Sequence, residues 1–179
     1  MPQPRTRRPN ASDDRPAAWP ELSKTPPDQL IVEHLNSDLI VIDNVIQPKE
    51  LKQWRLFVDK LAMDPPQPPL AGHADRRNFR AQFHDKDFAQ KLWTQTGLDE
   101  LCARLVPSRV KGKRAIGLNQ NIRVYKYPEG SFFGPHYDDD VYDAQTKQRS
   151  EWTLLIYLTG QSDGVVGTRL LVAKSLPTF

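Results

Sequence analysis

Cysteine occurs once in the chain, at Cys102. A single thiol excludes an internal disulfide and any cysteine-built zinc site, and it points to a reducing compartment. Apolar runs of signal-peptide or membrane-spanning length are absent, and Asp13, Asp14 and Glu21 argue against a mitochondrial presequence. Cytosol or nucleus, with no membrane partner, is the expectation. Excess charge is scarce too. The formal net charge is +3, and Arg5, Arg7, Arg8, Arg15 and Lys24 against Asp13, Asp14 and Glu21 put most of it in residues 1–27. The remainder is close to neutral and has no basic stripe with interleaved aromatics, so no nucleic-acid partner is expected. Histidine is sparse as well: there are four, His34, His73, His84 and His136, and none follows the last of these.

At 179 residues the chain suits one domain with a tail; a domain near that size buries roughly 70% of its unfolded surface. Residues 1–27 are rich in Pro, Arg, Asp and Ser, with little to repay the entropy of ordering, and read as a disordered tail before a domain at 28–179. Leu39, Ile40, Val41 and Ile42, with Val45 and Ile46, form a run suited to a buried strand. Pro48 fits the first turn of a helix carrying Leu51, Trp54, Val58 and Leu61 on one face, which Pro65, Pro66, Pro68 and Pro69 follow as a stiff loop. Asp85 suits the N-cap of a helix with Phe88, Leu92 and Trp93, and Gly97 can close it before a shorter helix with Leu98, Leu101 and Leu105.

Beyond residue 114 the pattern changes to period two. Ile122 and Val124 lie on one side, with Asn119, Asn121, Arg123, Tyr125 and Tyr127 on the other. A strand separating a core from a ligand cavity shows this split. Pro128-Glu129-Gly130 turns the chain into the run His136-Tyr137-Asp138-Asp139-Asp140. In an extended segment positions i and i+2 point to one side, so the His136 imidazole and Asp138 carboxylate can converge on one ion. They make two-thirds of a two-histidine, one-carboxylate triad of the kind that holds Fe(II) with open positions. Asp139 and Asp140 read as a solvated edge. Residues 141–150 form a polar connection, either a lid or an ordinary hairpin loop. Residues 152–159 make an apolar strand on which Tyr157 shares a side with Thr153 and Leu155, opposite Trp152, Leu154, Ile156 and Leu158, and residues 170–173 can form a last strand.

Four blocks between residues 40 and 167 together resemble the prolyl 4-hydroxylase-like branch of the Fe(II)/2-oxoglutarate-dependent dioxygenases. They are Val41 to Pro48, Asn78-Phe79-Arg80 to Leu92-Trp93, Gly117 to Asp138, and the 152–159 strand before Asp163-Gly164. The resemblance implies an α+β fold with a mainly β core: a double-stranded β-helix, or jelly roll, of cupin-like form, flanked by N-terminal helices. It implies oxidative decarboxylation of 2-oxoglutarate to succinate coupled to hydroxylation of a protein residue of prolyl type or of a small molecule, with Fe(II) as metal and ascorbate as auxiliary reductant. His136 and Asp138 then correspond to metal ligands, and Tyr127, Tyr157 and Arg123 to cosubstrate-binding residues; no catalytic acid, base or nucleophile is assigned. The family continues to a distal histidine and a Lys or Arg that pairs with the far carboxylate of 2-oxoglutarate, whereas here Gly167-Thr168-Arg169-Leu170 leads to Phe179 without either match. The expectation is therefore a jelly roll incomplete at its C-terminus, from a truncated or frame-altered chain. The alternative function is a non-catalytic remnant acting as a binding or regulatory module. A cupin-type metal protein without 2-oxoglutarate is weaker, since such sites use more histidines.

Overall fold

The structure, a computed structural model, describes residues 16, 18–68, 74–105, 112–136, 138, 140–144, 146–159 and 169–174, with backbone alone for 27 and 169–174. After a short 3-10 turn at Pro27–Gln29, β1 (Ile31–Asn36) and β2 (Leu39–Asp43) form an antiparallel hairpin. Asn44 then adopts φ 69°, a left-handed conformation that Asn tolerates better than most residues, and turns the chain into α1 (Pro48–Lys60). Pro48 occupies the first helical turn, where its missing N–H is no loss, and Glu50 Oε2 accepts from the Gln47 N–H at 3.2 Å. β3 (Phe79–His84) leads into α2 (Lys86–Gln95), whose N-cap Asp85 accepts from the Phe88 N–H at 2.9 Å. Gly97, at φ 73°, separates α2 from α3 (Leu98–Leu105). These helix starts are where capping chemistry places them.

β4 (Asn121–Lys126) pairs antiparallel with β3, and a hairpin of β5 (Tyr142–Asp143) and β6 (Gln148–Arg149) follows. β7 (Trp152–Tyr157) and β8 (Arg169–Lys174) complete a four-stranded antiparallel sheet in the order β1-β2-β8-β7. Among the described residues the sheets are open: none closes on itself. No helix there is long and apolar enough to cross a membrane.

Alternation decides which side of the large sheet is core. Ile40 and Ile42 of β2 and Leu154 and Ile156 of β7 point to the side covered by α2 and α3, against Trp93, Leu98, Leu101 and Cys102. A second cluster joins Ile46, Trp54, Phe88 and Leu92, and Leu118, Leu154 and Ile156 touch both clusters, so the core is continuous. Burial, with Asp99 adding, pushes the Cys102 thiol up from its ordinary 9.0 to about 12. The folded state holds this thiol protonated. Its stabilising contribution is therefore fully present below pH 9.0 and is lost as pH rises towards about 12. Cys102 is expected to resist alkylation at pH 8 and to react once urea unfolds the chain, measured by thiol titration; rapid reaction of the folded protein would contradict its burial.

One expectation is corrected by the packing. The tail assigned to residues 1–27 is ordered in its second part: Leu22 and Thr25 are buried, and Trp19 stacks on Phe88 with ring centroids 4.0 Å apart. Trp19 Nε1 donates to Asp85 Oδ2 at 2.8 Å, the Ser23 N–H donates to Glu50 Oε1 at 2.6 Å, and the Thr25 N–H donates to the Gln95 carbonyl at 2.8 Å. Average composition hides this, because the few apolar residues that matter find their partners far along the chain.

Candidate metal centre

The strand pair β3-β4 sets one wall. Residues opposite one another share a face, so Arg80 and Gln82 lie beside Tyr125 and Arg123, while Ala81 and Phe83 lie beside Val124 and Ile122. This is the two-sided pattern legible in residues 119–127: Ile122 packs into the core and Arg123 is exposed on the polar face. On β7 the same alternation sends Trp152, Leu154 and Ile156 to the core, with Leu158 just beyond, and leaves Tyr157 half-exposed on the other side.

α1 fixes the ends of both strands. Arg55 Nε donates to the Leu158 carbonyl at 2.8 Å, and Lys126 Nζ pairs with Asp59 at 2.6 Å. The Lys126–Asp59 pair is exposed on both sides and adds little stability. Its consequence is position, since Lys126 adjoins Tyr127 and Leu158 adjoins Tyr157. The two tyrosines come close enough to influence each other: burial lifts the Tyr127 phenol above its ordinary range, Tyr125 and Tyr157 add to the rise, and Arg76 opposes it. In a spectrophotometric titration, wild type minus Tyr127→Phe is expected to show a phenol ionising above the ordinary value. Arg76→Met is expected to move that component further up, because a neighbouring cation favours phenolate. A difference curve at or below the ordinary value would contradict the arrangement.

After β4, Gly130 takes φ 72° in a turn closed by the Ser131 N–H donating to the Pro128 carbonyl at 3.0 Å. The chain then runs beside residues 75–77. Arg77 N–H donates to the Phe132 carbonyl at 2.9 Å, Gly134 N–H to the Asp75 carbonyl at 2.8 Å, and Arg76 bridges to Phe133. His136 and Asp138 lie just past this bridge, in a bend and irregular chain instead of the extended segment that their spacing suggests. They converge nevertheless, with Nε2 3.4 Å from Asp138 Oδ1.

The imidazole is oriented on two further sides. Phe133 stacks on it with centroids 3.6 Å apart, and Nδ1 lies 2.8 Å from the Gly134 carbonyl oxygen. A carbonyl only accepts, so that contact assigns an N–H to Nδ1 and turns Nε2 towards the carboxylate. A shared cation is one partner that fits both groups at this separation. Ligands about 2.1 Å from a transition metal, subtending roughly 90–110°, lie about 3.0–3.4 Å apart, so the pair fits two adjacent coordination positions. In a ligating histidine, a contact of this kind from the other ring nitrogen fixes the tautomer and the ring orientation. Among the described residues no group of three His, Cys, Asp or Glu side chains converges. His34 and His84 are exposed on β1 and at the end of β3, and His73 lies outside the described residues.

Asp140 is corrected: it is buried, not part of a solvated edge, and Arg149 Nη1 holds its Oδ2 at 2.7 Å. Asp139 lies outside the described residues. Within the 141–150 connection, Tyr142–Asp143 and Gln148–Arg149 pair as the short β5-β6 hairpin, with Lys147 at φ 56° and the Ser150 N–H donating to the Val141 carbonyl at 2.9 Å. Two residues of the site carry no signal in the sequence, Phe133 and Arg76, whose guanidinium carbon lies 4.2 Å from the Phe133 ring centroid and 5.9 Å from that of Tyr125. Their importance arises from the pairing of residues 75–77 with 132–134, which no local pattern announces. No family model matches the chain, and no curated protein or solved structure matches it either.

Proposed function

We propose that the chain is an Fe(II)/2-oxoglutarate-dependent dioxygenase of the prolyl 4-hydroxylase-like type, acting in the cytosol or nucleus on a protein residue or a small molecule. The observation that carries this reading is the convergence of His136 Nε2 and Asp138 Oδ1 at 3.4 Å, with Nδ1 committed to the Gly134 carbonyl. In this reading the antiparallel sheets belong to a double-stranded β-helix, and His136 and Asp138 supply two protein ligands to the iron. When bound, the iron supplies the activation of dioxygen that couples oxidation of 2-oxoglutarate, to succinate and carbon dioxide, to hydroxylation of a C–H bond. The chain's own residues bind and orient. Tyr127 and Tyr157 offer hydroxyl donors to the cosubstrate, Arg123 contributes positive charge on the Tyr125 face, and Phe133 shields one face of the imidazole from water.

A second reading is favoured by the donor set: a binding or regulatory module of the same ancestry that does not turn over, since only two ligating side chains converge among the described residues. The two readings separate in one assay. Incubation with Fe(II), ascorbate and 2-oxoglutarate yields succinate above a no-protein control under the first reading and none under the second.

A further inference from the structure

Residues 18–25 are held down without a helix or strand of their own. Trp19, Leu22 and Thr25 turn inward while Glu21, Lys24 and Pro26 are exposed, the three-residue period of an extended, polyproline-like chain. A strap of this kind has no ladder to hold it, so it stays docked only by what it touches on α1, α2 and β3. Thr25 is the deepest of its anchors, at 1% exposure. The hydroxyl oxygen accepts from Gln47 Nε2 at 3.1 Å, and the N–H donates to the carbonyl of Gln95, the last residue of α2, at 2.8 Å. Thr25 thus bridges the start of α1 and the end of α2.

Neither helix end welcomes an anion there. At the start of α1 the buried Glu50 carboxylate already takes the Gln47 N–H at 3.2 Å and both the N–H and the hydroxyl of Ser23 at 2.6 Å. At the end of α2 the helix presents carbonyls, the negative end of its dipole. A phosphoryl group on Thr25 would bring about −1.5 to −2 charges at pH 7 to this place, where it finds like charge and no space. The following residue supplies the means. Pro26 is exposed and restricts Thr25 to an extended backbone. A threonine followed by proline is the pair that proline-directed protein kinases accept, and Thr25-Pro26 is the only Ser-Pro or Thr-Pro pair in the sequence.

We propose that Thr25 is a phosphorylation site whose modification holds the 18–25 strap off α1 and α2. In the transfer the Thr25 oxygen bonds to the γ-phosphorus of ATP, ADP leaves with the bridging oxygen, and the hydroxyl proton passes to the kinase's catalytic base. The docked hydroxyl is out of reach, so the kinase takes the transiently released strap, and the phosphate then blocks its return. Release bares the aromatic surface of Trp54, Phe83 and Phe88 that Trp19 covers. The test incubates the full chain with a mitogen-activated protein kinase and ATP and follows hydrogen exchange of both forms by mass spectrometry. Thr25 is expected to take up phosphate about tenfold faster in Trp19→Ala than in wild type, because release limits access. In the modified chain the Ser23 and Thr25 amides are expected to exchange at least about 100-fold faster, while β2 and α3 keep their protection. No modification of Thr25 in either protein, equal rates in both, or a phosphorylated strap as protected as before would overturn the proposal. Loss of protection throughout the chain would overturn it too, by making Thr25 a fold residue and not a switch. Two variants separate charge from contact without any kinase. Thr25→Glu is expected to reproduce the fast exchange, and Thr25→Val, of nearly the same shape, to stay within about threefold of wild type. Equal exchange in the two variants would contradict release by charge.

Discussion

His136→Ala is expected to abolish iron-dependent release of succinate from 2-oxoglutarate, and Asp138→Asn to reduce it by at least about 100-fold. The magnitude follows from the donor count. On the proposed function, removing either of the two converging side chains leaves a single protein donor for the ion. The loss is not an unfolding effect. Both side chains are partly exposed and sit outside the core clusters, so each substitution is expected to change stability by no more than about 0.5–1 kcal/mol. Succinate quantified under matched Fe(II) and ascorbate, beside a urea melt of each variant, checks both statements. Turnover by His136→Ala at the wild-type rate would contradict the site.

The largest expected loss of stability belongs to a residue far from that chemistry. Trp19→Ala is expected to destabilise the fold by about 3 kcal/mol, and Trp19→Phe by about 1 kcal/mol. The indole stacks on Phe88 at 4.0 Å, meets Phe83 edge-on at 5.4 Å and lies 5.3 Å from Phe57, so its deletion opens a cavity bordered by α1, α2 and β3. It also removes the donor to Asp85 Oδ2, and Asp85 is the N-cap of α2. Phenylalanine keeps most of the ring contact and loses only that hydrogen bond, which explains the smaller expected cost. Equilibrium urea denaturation of the three proteins measures both differences. A cost near zero for the alanine variant would mean that residues 18–25 do not contribute to the fold.

The contrast between Trp19 and the helices explains what a sequence discloses. α2 is legible because its start, its apolar face and its end are local: Asp85, then Phe88, Leu92 and Trp93, then Gly97 at positive φ. α1 and the alternation along β4 and β7 are legible for the same reason. β1 and β3 are not, since the exposed strand Ile31–Asn36 has no clean alternation and Phe79–His84 becomes a strand by pairing with β4. Trp19 and Leu22 sit in a stretch whose average composition suggests disorder, and only tertiary partners reverse that. Asp140 looks like one more acid in an acidic run until Arg149 meets it across a hairpin.

At this candidate centre, the pair His136 and Asp138 was legible as a candidate from its spacing together with the flanking blocks. Their orientation was not, because it depends on Phe133 and the Gly134 carbonyl, in a segment shaped by residues 75–77 and not by a regular strand. Arg76 was invisible for the same cause. Its sequence context, Asp75-Arg76-Arg77, looks like ordinary surface charge, and only the bridge to Phe133 brings it to the site.

With only four histidines, the imidazole resonances of this chain can be assigned one by one. Substoichiometric Mn(II), followed by proton NMR of those rings, reads out directly whether His136 and Asp138 share an ion. Selective broadening of the His136 ring, lost in Asp138→Asn, is the predicted result. Uniform broadening of all four histidines, or none at His136, would contradict it.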